Sequence, residues 1–183
     1  MNQGLFDLQV NGFAGVDFQR PDLTRADLER AEVEVGSYVE GESERSPPPP
    51  FTTSTLQQAA SSRLRLPAKR TMQVAQSLYE AGLITYMRTD SVNLSNDALD
   101  MAQRVITSNY GPQYHERRQY KTKTASAQEA HEAIRPAGDR FRAPKDVARE
   151  LNRDELALYE LVWKRTLASQ MEDAVGQTVS VRI

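Results

Sequence analysis

The chain has 183 residues, of which 39% are hydrophobic and 26% charged, values that are ordinary for a soluble globular protein. No apolar run approaches the length of a membrane span, and the first residues lack the pattern of a secretory signal. The absence of cysteine fits a reducing cytoplasm, and it also fits many other compartments. These features argue against a disordered chain or a membrane protein and predict one cytoplasmic domain with appendages.

The charge is unevenly distributed along the chain. Residues 1–46 hold 4 Lys/Arg against 10 Asp/Glu, residues 47–145 hold 14 against 8, and residues 146–183 hold 5 against 7. A basic centre between acidic ends is typical of a protein with a nucleic-acid surface. A solvated charged surface explains the same count equally well.

The first clear signals are a strand and a helix separated by prolines. Residues 31–40 alternate apolar and acidic side chains and predict a short strand. The four prolines at 47–50 end it as a stiff extended spacer, where we place a domain boundary. Ser54 and Gln57 then form a capping-box pattern for a helix over about 55–63.

A second helix is predicted over about 68–81, with Pro67 just before its first turn and Gly82 as its stop. Gln76 and Glu80 are four residues apart and therefore neighbours on its surface. Its apolar stripe comprises Met72, Ala75, Leu78 and Tyr79.

The helix leads directly into residues 83–91, whose β-branched and aromatic content predicts a short strand or an extended loop. Side chains two residues apart then project to the same side. We therefore expect Tyr86, Arg88 and Asp90 to converge.

Two helices are predicted in the middle of the chain. Ser95 can cap one that ends near Gly111. Ser126 and Glu129 form a capping box for a brief helix that holds His131, beyond a basic loop.

A long helix ending near Met171 and a closing alternating strand complete the predicted elements. Tyr159 and Trp163 lie on the apolar side of that helix and are predicted to be core residues rather than base-stacking platforms. The helix stripe is Leu158, Leu161, Val162 and Leu167, and the strand is marked by Val179, Val181 and Ile183.

Tyr86 and Arg88 carry the chemistry most easily read from the sequence. The phenol of an ordinary tyrosine has a pKa of about 10, so only about one in a thousand is phenolate at pH 7. A guanidinium two residues away favours the phenolate and can hold a phosphate oxygen as charge develops during phosphoryl transfer. Tyr-x-Arg is nevertheless a common pattern, and a packed tyrosine beside a surface arginine explains it without any catalysis.

Four blocks, in order along the chain, resemble bacterial type IA DNA topoisomerases. The block GLITYMRTDS at 82–91 resembles the active-site signature of that family. The others are PPPFTTSTLQQ at 48–58, AQEAHEAIRP at 127–136 and ASQM at 168–171. The resemblance covers about residues 31–183.

The resemblance implies that Tyr86 cleaves one DNA strand through a 5′-phosphotyrosine bond, that another strand passes through the gap, and that the break is then religated. Supercoiled DNA relaxes without nucleotide hydrolysis. Arg88 would hold the phosphate, and His131 would contact the scissile region. The residues that would support the site or contact DNA are Gln76, Glu80, Thr85, Asp90 and Arg135.

Several of these residues also have ordinary explanations. His131 would otherwise be a surface histidine or a core histidine with its hydrogen bonds satisfied. Arg135 fits either an ion-pair partner or a phosphate ligand. The remaining basic candidates, each of which fits a phosphate contact or a solvated surface, are Lys69, Arg70, Arg117, Arg118, Lys121 and Lys123.

The fold implied is mainly α with short β-strands: a winged-helix-like tyrosine domain at 47–172, with partial arch strands at 31–46 and 173–183. The family binds Mg²⁺ through a Toprim domain with an Asp-x-Asp-x-x-Gly stretch, which this sequence lacks. We therefore expect a fragment that needs a Toprim-bearing segment, with single-stranded DNA as its other partner, and a place at the bacterial nucleoid.

Residues 1–30 do not share this resemblance. The stretch GLFDLQVNGFAGVDF at 4–18 is similar instead to the N-terminus of N-acetylglucosamine-6-phosphate deacetylases, which are amidohydrolases. It brings neither their barrel nor their later metal ligands. A joined or mispredicted reading frame would explain it, as would a short strand of unrelated origin.

Three hypotheses about function remain open at this point. The chain is a cleavage and religation module, a noncatalytic fragment that binds single-stranded DNA, or a translated gene fragment without function. The second predicts that Tyr86→Phe changes no measurable activity. The third predicts an unstable chain, because unpaired edge strands invite aggregation.

Overall fold

The computed structural model describes residues 12–13, 16–17, 37–120 and 132–182, which are mainly helical, as the sequence predicts. None of the helices in this part is both long and apolar enough to cross a membrane. The strands are β1 (Gly12–Phe13), β2 (Val16–Asp17), β3 (Ser37–Arg45) and β4 (Ala174–Arg182). The α-helices are α1 (Thr53–Leu64), α2 (Ala68–Glu80), α3 (Asn96–Tyr110), α4 (Pro144–Val147) and α5 (Arg153–Ala168), and a 3₁₀ helix covers Pro112–Tyr114.

The chain divides into two compact units. One contains the four strands, and the other is Ser46–Asp173 with the helices. In the first unit β1 pairs with β2 and β3 pairs with β4, both antiparallel. The rest of residues 1–30, where the deacetylase-like stretch falls, lies outside the described residues.

The β3–β4 ladder accounts for both predicted terminal strands. The strand predicted over 31–40 is confirmed from Ser37 and continues to Arg45, while residues 31–36 lie outside the described part. It ends just before the prolines, which lack the N–H that a ladder needs. The closing strand is also confirmed and begins at Ala174.

The proline segment and α1 begin the helical unit. Arg165 on α5 donates from Nη1 to the carbonyl oxygen of Pro49 at 3.3 Å, and its guanidinium lies 4.3 Å from the ring centroid of buried Phe51. The predicted capping box was wrong by two residues, because Thr52 caps α1 and exchanges hydrogen bonds with Thr55. Ser54 cannot be the cap, since it already lies inside the first helical turn.

Helix α2 begins and ends as predicted, between Pro67 and Gly82. Gly82 has φ 70°, the left-handed conformation that favours glycine, and it turns the chain into the segment that follows. The predicted stripe was partly wrong: Tyr79 is 41% exposed. The buried residues of α2 are Thr71, Val74, Ala75 and Leu78.

The later helices complete the core. Ser95 caps α3 and Gly111 ends it, both as predicted. Helix α5 ends at Ala168, three residues before the predicted Met171, and all four residues of its predicted stripe are buried. Tyr159 is a core residue, as predicted: burial raises the pKa of its phenol to about 12, and its hydroxyl donates to the Arg142 carbonyl at 2.7 Å.

Trp163 is also buried, as predicted for the apolar side of α5. The predicted capping box at Ser126 and Glu129, and the brief helix holding His131, lie outside the described residues. The described chain resumes at Glu132, which does not lie in a helix.

Candidate active site

Residues 83–91 form an extended loop between α2 and α3. Only Ile84 makes a sheet-type bridge, with Pro136, so the segment is a loop rather than a strand. Tyr86, Arg88 and Asp90 are exposed, and the residues that alternate with them, Met87, Thr89 and Ser91, are buried. All three predicted functional side chains are therefore exposed; Arg88 and Asp90 line one surface pocket, which does not include Tyr86, so their convergence on Tyr86 stays a prediction.

One side of the loop is held by the chain that follows Glu132. The Thr85 hydroxyl donates to the Ala133 carbonyl at 2.7 Å and accepts from the Arg135 backbone N–H at 3.0 Å. The Thr85 backbone N–H donates to the Arg135 carbonyl at 2.9 Å. Thr85 therefore fixes the backbone immediately before Tyr86.

The other side of the loop is held by Thr53, the first residue of α1. Its hydroxyl donates to the Met87 carbonyl at 2.8 Å and accepts from the Thr89 backbone N–H at 2.9 Å. Its own backbone N–H donates to the Thr89 carbonyl at 2.8 Å. The residues on both sides of Arg88 are thus fixed by one threonine, which sequence reasoning did not single out.

Arg135 is an ion-pair partner, the first of the two roles that the sequence left open. It is 9% exposed, and its Nη2 lies 2.6 Å from Glu132 Oε2. Its Nη1 donates to the Pro136 carbonyl at 2.9 Å. Glu132 also accepts from the Ser95 backbone N–H at 2.7 Å, so the pair connects the segment that contacts Thr85 to the start of α3.

This ion pair makes stability depend on pH. Burial raises the pKa of the Glu132 carboxyl, but hydrogen bonds from Arg135 and Ser95 outweigh burial and hold that pKa below its ordinary 4.5. Its stabilising contribution is therefore present above about pH 4.5 and is lost as pH falls through the lower pKa of the folded state. We expect Glu132→Gln to lose less free energy of unfolding between pH 7 and pH 3 than the parent chain does.

Urea unfolding of both chains at the two pH values measures this difference. Glu150 and Glu155, whose pKa values are also lowered by hydrogen bonds, are present in both chains and cancel in the comparison. Equal losses in the two chains would contradict the assignment.

Tyr79 is the closest aromatic neighbour of Tyr86 among the described contacts. The two ring centroids are 5.4 Å apart and the ring planes meet at 68°, an edge-to-face arrangement. Tyr86 is 42% exposed, so this contact restrains a side chain that solvent can still reach. This role could not be predicted from the sequence, because the helical spacing of Tyr79 fits a buried apolar stripe.

Gln76 and Glu80 are neighbours, as their spacing predicts. Gln76 Nε2 donates to Glu80 Oε1 at 2.6 Å on the last turns of α2, just before the loop. Glu80 is exposed and Gln76 is partly buried. A carboxylate and an amide therefore lie on the helix that delivers Tyr86.

Arg88 and Asp90 line a surface pocket of about 370 Å³, together with Thr53, Ser54 and Thr89. No hydrogen bond or ion pair joins the Arg88 guanidinium to another residue of the described chain. The Arg88 guanidinium and the Ser54 hydroxyl in this pocket are donors suited to a phosphate, whereas Thr53 already donates its hydroxyl hydrogen to the Met87 carbonyl and Asp90 adds a carboxylate.

Three of the other basic candidates are paired with carboxylates instead. Arg70 pairs with Asp154 at 2.7 Å and Arg117 pairs with Asp100 at 2.5 Å. Arg118 contacts Glu116 and Asp173. Lys69 is exposed, whereas Lys121, Lys123 and the predicted site residue His131 lie outside the described residues.

No group of three or more His, Asp or Glu side chains that could hold a metal ion exists within the described chain. Asp90 belongs to the loop, Glu80 on the preceding helix is bound to Gln76, and Glu132 is bound to Arg135. These residues do not fit a Mg²⁺ site, so no chemical step here is assigned to a metal.

Comparison with known proteins places these residues in a family. The family described as DNA topoisomerase matches residues 19–183. DNA topoisomerase 1 of Synechococcus elongatus is 54% identical over 150 residues, which are 81% of this chain and 17% of that protein. The Mycobacterium tuberculosis (strain H37Rv) enzyme of the same name is 55% identical over 154 residues, 81% of this chain and 16% of its own.

A solved structure agrees. Full-length topoisomerase I from Thermotoga maritima superposes with a TM-score of 0.68 and 38% identity, covering 80% of this chain and 24% of that one. The chain thus spans about a sixth of the length of the curated relatives named above. On the family match and these identities, the chain belongs to the DNA topoisomerase family.

Proposed function

We propose that the chain is the strand cleavage and religation module of a bacterial type IA DNA topoisomerase. The phenolic oxygen of Tyr86 bonds to a phosphorus of one DNA strand, and the bond from that phosphorus to the 3′-oxygen breaks. The phenol loses its proton and the departing 3′-oxygen gains one. Attack by the resulting 3′-hydroxyl on the 5′-phosphotyrosine restores the strand after another strand has passed, which relaxes supercoils.

The observation that carries this proposal is the presentation of Tyr86. Its ring is accessible to a substrate, while the backbone around it is fixed by Thr85 on one side and by Thr53 on the other. A nucleophile reacts faster when it is held in the reactive position before the substrate binds. Tyr79 and Tyr110 are exposed to a similar degree, so the proposal depends on the contacts of Thr53 and Thr85 that fix the backbone around Tyr86.

Arg88 is proposed to hold a nonbridging phosphate oxygen, because its guanidinium is exposed in a surface pocket and lies two residues along the chain from Tyr86. Gln76, Glu80, Thr85 and Asp90 are proposed to support the site or contact DNA. Arg135 supports it through Thr85, and His131 is proposed to contact the scissile region.

The Mg²⁺ that the family requires would be bound by a segment other than this chain. Mg²⁺ would be held by a Toprim-bearing segment and would help to neutralise the phosphate. The chain's own residues supply the nucleophile, a phosphate contact and a surface for a single DNA strand. We propose that the chain works in the cytoplasm, at the bacterial nucleoid, as part of a longer enzyme.

The finer architecture is also a proposal. We propose that the winged-helix-like tyrosine domain predicted over 47–172 is the unit Ser46–Asp173, and that β3 and β4 are partial strands of the arch. The deacetylase-like origin proposed for residues 1–30 stays a prediction for residues 1–18, whereas residues 19–30 fall within the family match.

The experiment mixes the purified chain with labelled single-stranded DNA and Mg²⁺, with and without a Toprim fragment from a related enzyme. Denaturation then reveals any protein linked covalently to DNA. We expect a linked species only in the complemented mixture. Salt-sensitive binding without any linked species would instead support the alternative, a noncatalytic fragment that binds single-stranded DNA.

Tyr79 is proposed to position the ring of Tyr86. An edge-to-face aromatic pair contributes about 0.5–1.5 kcal/mol. We expect Tyr79→Ala to slow formation of the DNA-linked species about two- to tenfold at saturating DNA, without changing the Kd for DNA. Tyr79→Phe keeps the ring contact and should react at the parent rate; an equally slow Tyr79→Phe would refute a role for the ring.

A further inference from the structure

A second pocket continues from the one that contains Arg88. It measures about 510 Å³ and is lined by Ser54, Gln57, Gln58, Ser61 and Ser62 of α1, with Ala68 of α2. Ser54 also lines the pocket of Arg88 and Asp90. The two pockets therefore adjoin at Ser54, and we call the surface along Ser54, Gln57, Gln58 and Ser61 the α1 groove.

The stretch of sequence that contains the α1 groove has no acidic residue. Residues 46–79 contain no Asp or Glu, whereas residues 80–173 contain 15 in 94 positions. At that density, 34 residues would hold about five. The same stretch contains four basic residues, Arg63, Arg65, Lys69 and Arg70. Arg70 is paired with Asp154, and Asp90 lines the adjoining pocket, so the attraction of a polyanion to this surface rests on the exposed side chains of Arg63, Arg65 and Lys69.

The lining groups suit a DNA strand in a second way. Serine hydroxyls and glutamine amides donate hydrogen bonds to phosphate and sugar oxygens without reading the sequence. They carry no charge, so they position a strand without the strong attraction of a lysine cluster. An enzyme that must release and reseal its strand benefits from such moderate contacts.

We propose that the α1 groove holds the single DNA strand on one side of the phosphate attacked by Tyr86. This inference rests on the proposed function, because it assigns the groove to the same strand. The helix rises about 10 Å from Ser54 to Ser61. That length corresponds to about three nucleotides of a stacked strand.

The first test adds negative charge to the groove. The double variant Gln57→Glu with Gln58→Glu keeps side-chain size and places two carboxylates along the strand. The matched control, Gln103→Glu with Gln113→Glu, makes the same change at exposed positions on α3 and the 3₁₀ helix. Binding of labelled single-stranded DNA is measured for the chain alone, so that no Toprim fragment contributes.

We expect the groove variant to bind DNA at least about tenfold more weakly and the control to change less than about twofold. Equal binding by the groove variant, the control and the parent chain would overturn the proposal that the α1 groove binds DNA. If the parent forms a Tyr86-linked species in the complemented mixture, the proposed function survives that failure. If the groove variant binds DNA more weakly but the parent chain forms no linked species in the complemented mixture, the α1 groove is supported as a DNA-binding surface and the catalytic role is rejected.

The second test maps the strand directly. The chain has no cysteine, so Ser61→Cys provides a single thiol for coupling an iron chelate that cuts nearby DNA. Ser108→Cys, exposed on α3, is the control. We expect Ser61→Cys to cut the strand within about five nucleotides on one side of the scissile phosphate, and Ser108→Cys not to cut there. Cutting of the Toprim polypeptide instead of DNA would overturn the proposal and identify a protein as the occupant.

Discussion

Tyr86→Phe is expected to reduce formation of the DNA-linked species by at least about a thousandfold, because phenylalanine has no oxygen to attack phosphorus. The ring remains, so its edge-to-face contact with Tyr79 is retained. We also expect the Kd for single-stranded DNA to stay within about twofold. The exposed position predicts a change in unfolding free energy of less than about 0.5 kcal/mol.

The measurement combines the complemented cleavage assay with DNA binding and urea unfolding of the same preparation. Tyr110→Phe, a similarly exposed tyrosine at the end of α3, is the control and should cleave at the parent rate. Residual cleavage by Tyr86→Phe at more than about a tenth of the parent rate would show that another group is the nucleophile.

Arg88→Ala is expected to slow cleavage at saturating DNA by about a hundred- to a thousandfold, the usual effect of removing a donor that stabilises charge in a transition state. The cleavage rate of Arg88→Lys should fall between those of Arg88→Ala and the parent chain. Lysine keeps the positive charge but loses the planar guanidinium that matches a phosphate. Because no described residue pairs with Arg88, we expect little change in stability.

Arg104→Ala is the matched control, since Arg104 is exposed on α3. Single-turnover rates and Kd are measured separately for each variant. Weaker DNA binding with an unchanged rate at saturation would mean that Arg88 only attracts DNA and does not act in the transition state.

Local sequence signals predicted the features that depend on neighbouring residues. Ser95 caps the start of α3, Gly111 ends it, and Gly82 ends α2. Helix caps and left-handed turns depend on residues within a few positions along the chain. The solvent-side exposure of Tyr86 and Arg88 followed from the two-residue periodicity of extended chain.

The features that fix the candidate site depend on distant parts of the chain and were not predictable in this way. Thr53 contacts residues 34 and 36 positions away, and Thr85 contacts residues 48 and 50 positions away. A threonine at a helix start looks like a cap in the sequence, and nothing nearby reveals its distant partner. The Tyr79 ring was wrongly predicted to lie on the apolar stripe of α2 for a similar reason, since its partner Tyr86 lies beyond the end of that helix.

The most direct test of the central claim locates the covalent bond. Trypsin should release residues 71–88 of the DNA-linked species as one peptide, since no Lys or Arg lies between Arg70 and Arg88. That peptide contains Tyr79 and Tyr86, and its fragment masses distinguish the two. After nuclease trimming, we predict a nucleotide 5′-phosphate on Tyr86 and an unmodified Tyr79. A nucleotide on Tyr79, or on any residue outside this peptide, would contradict the account.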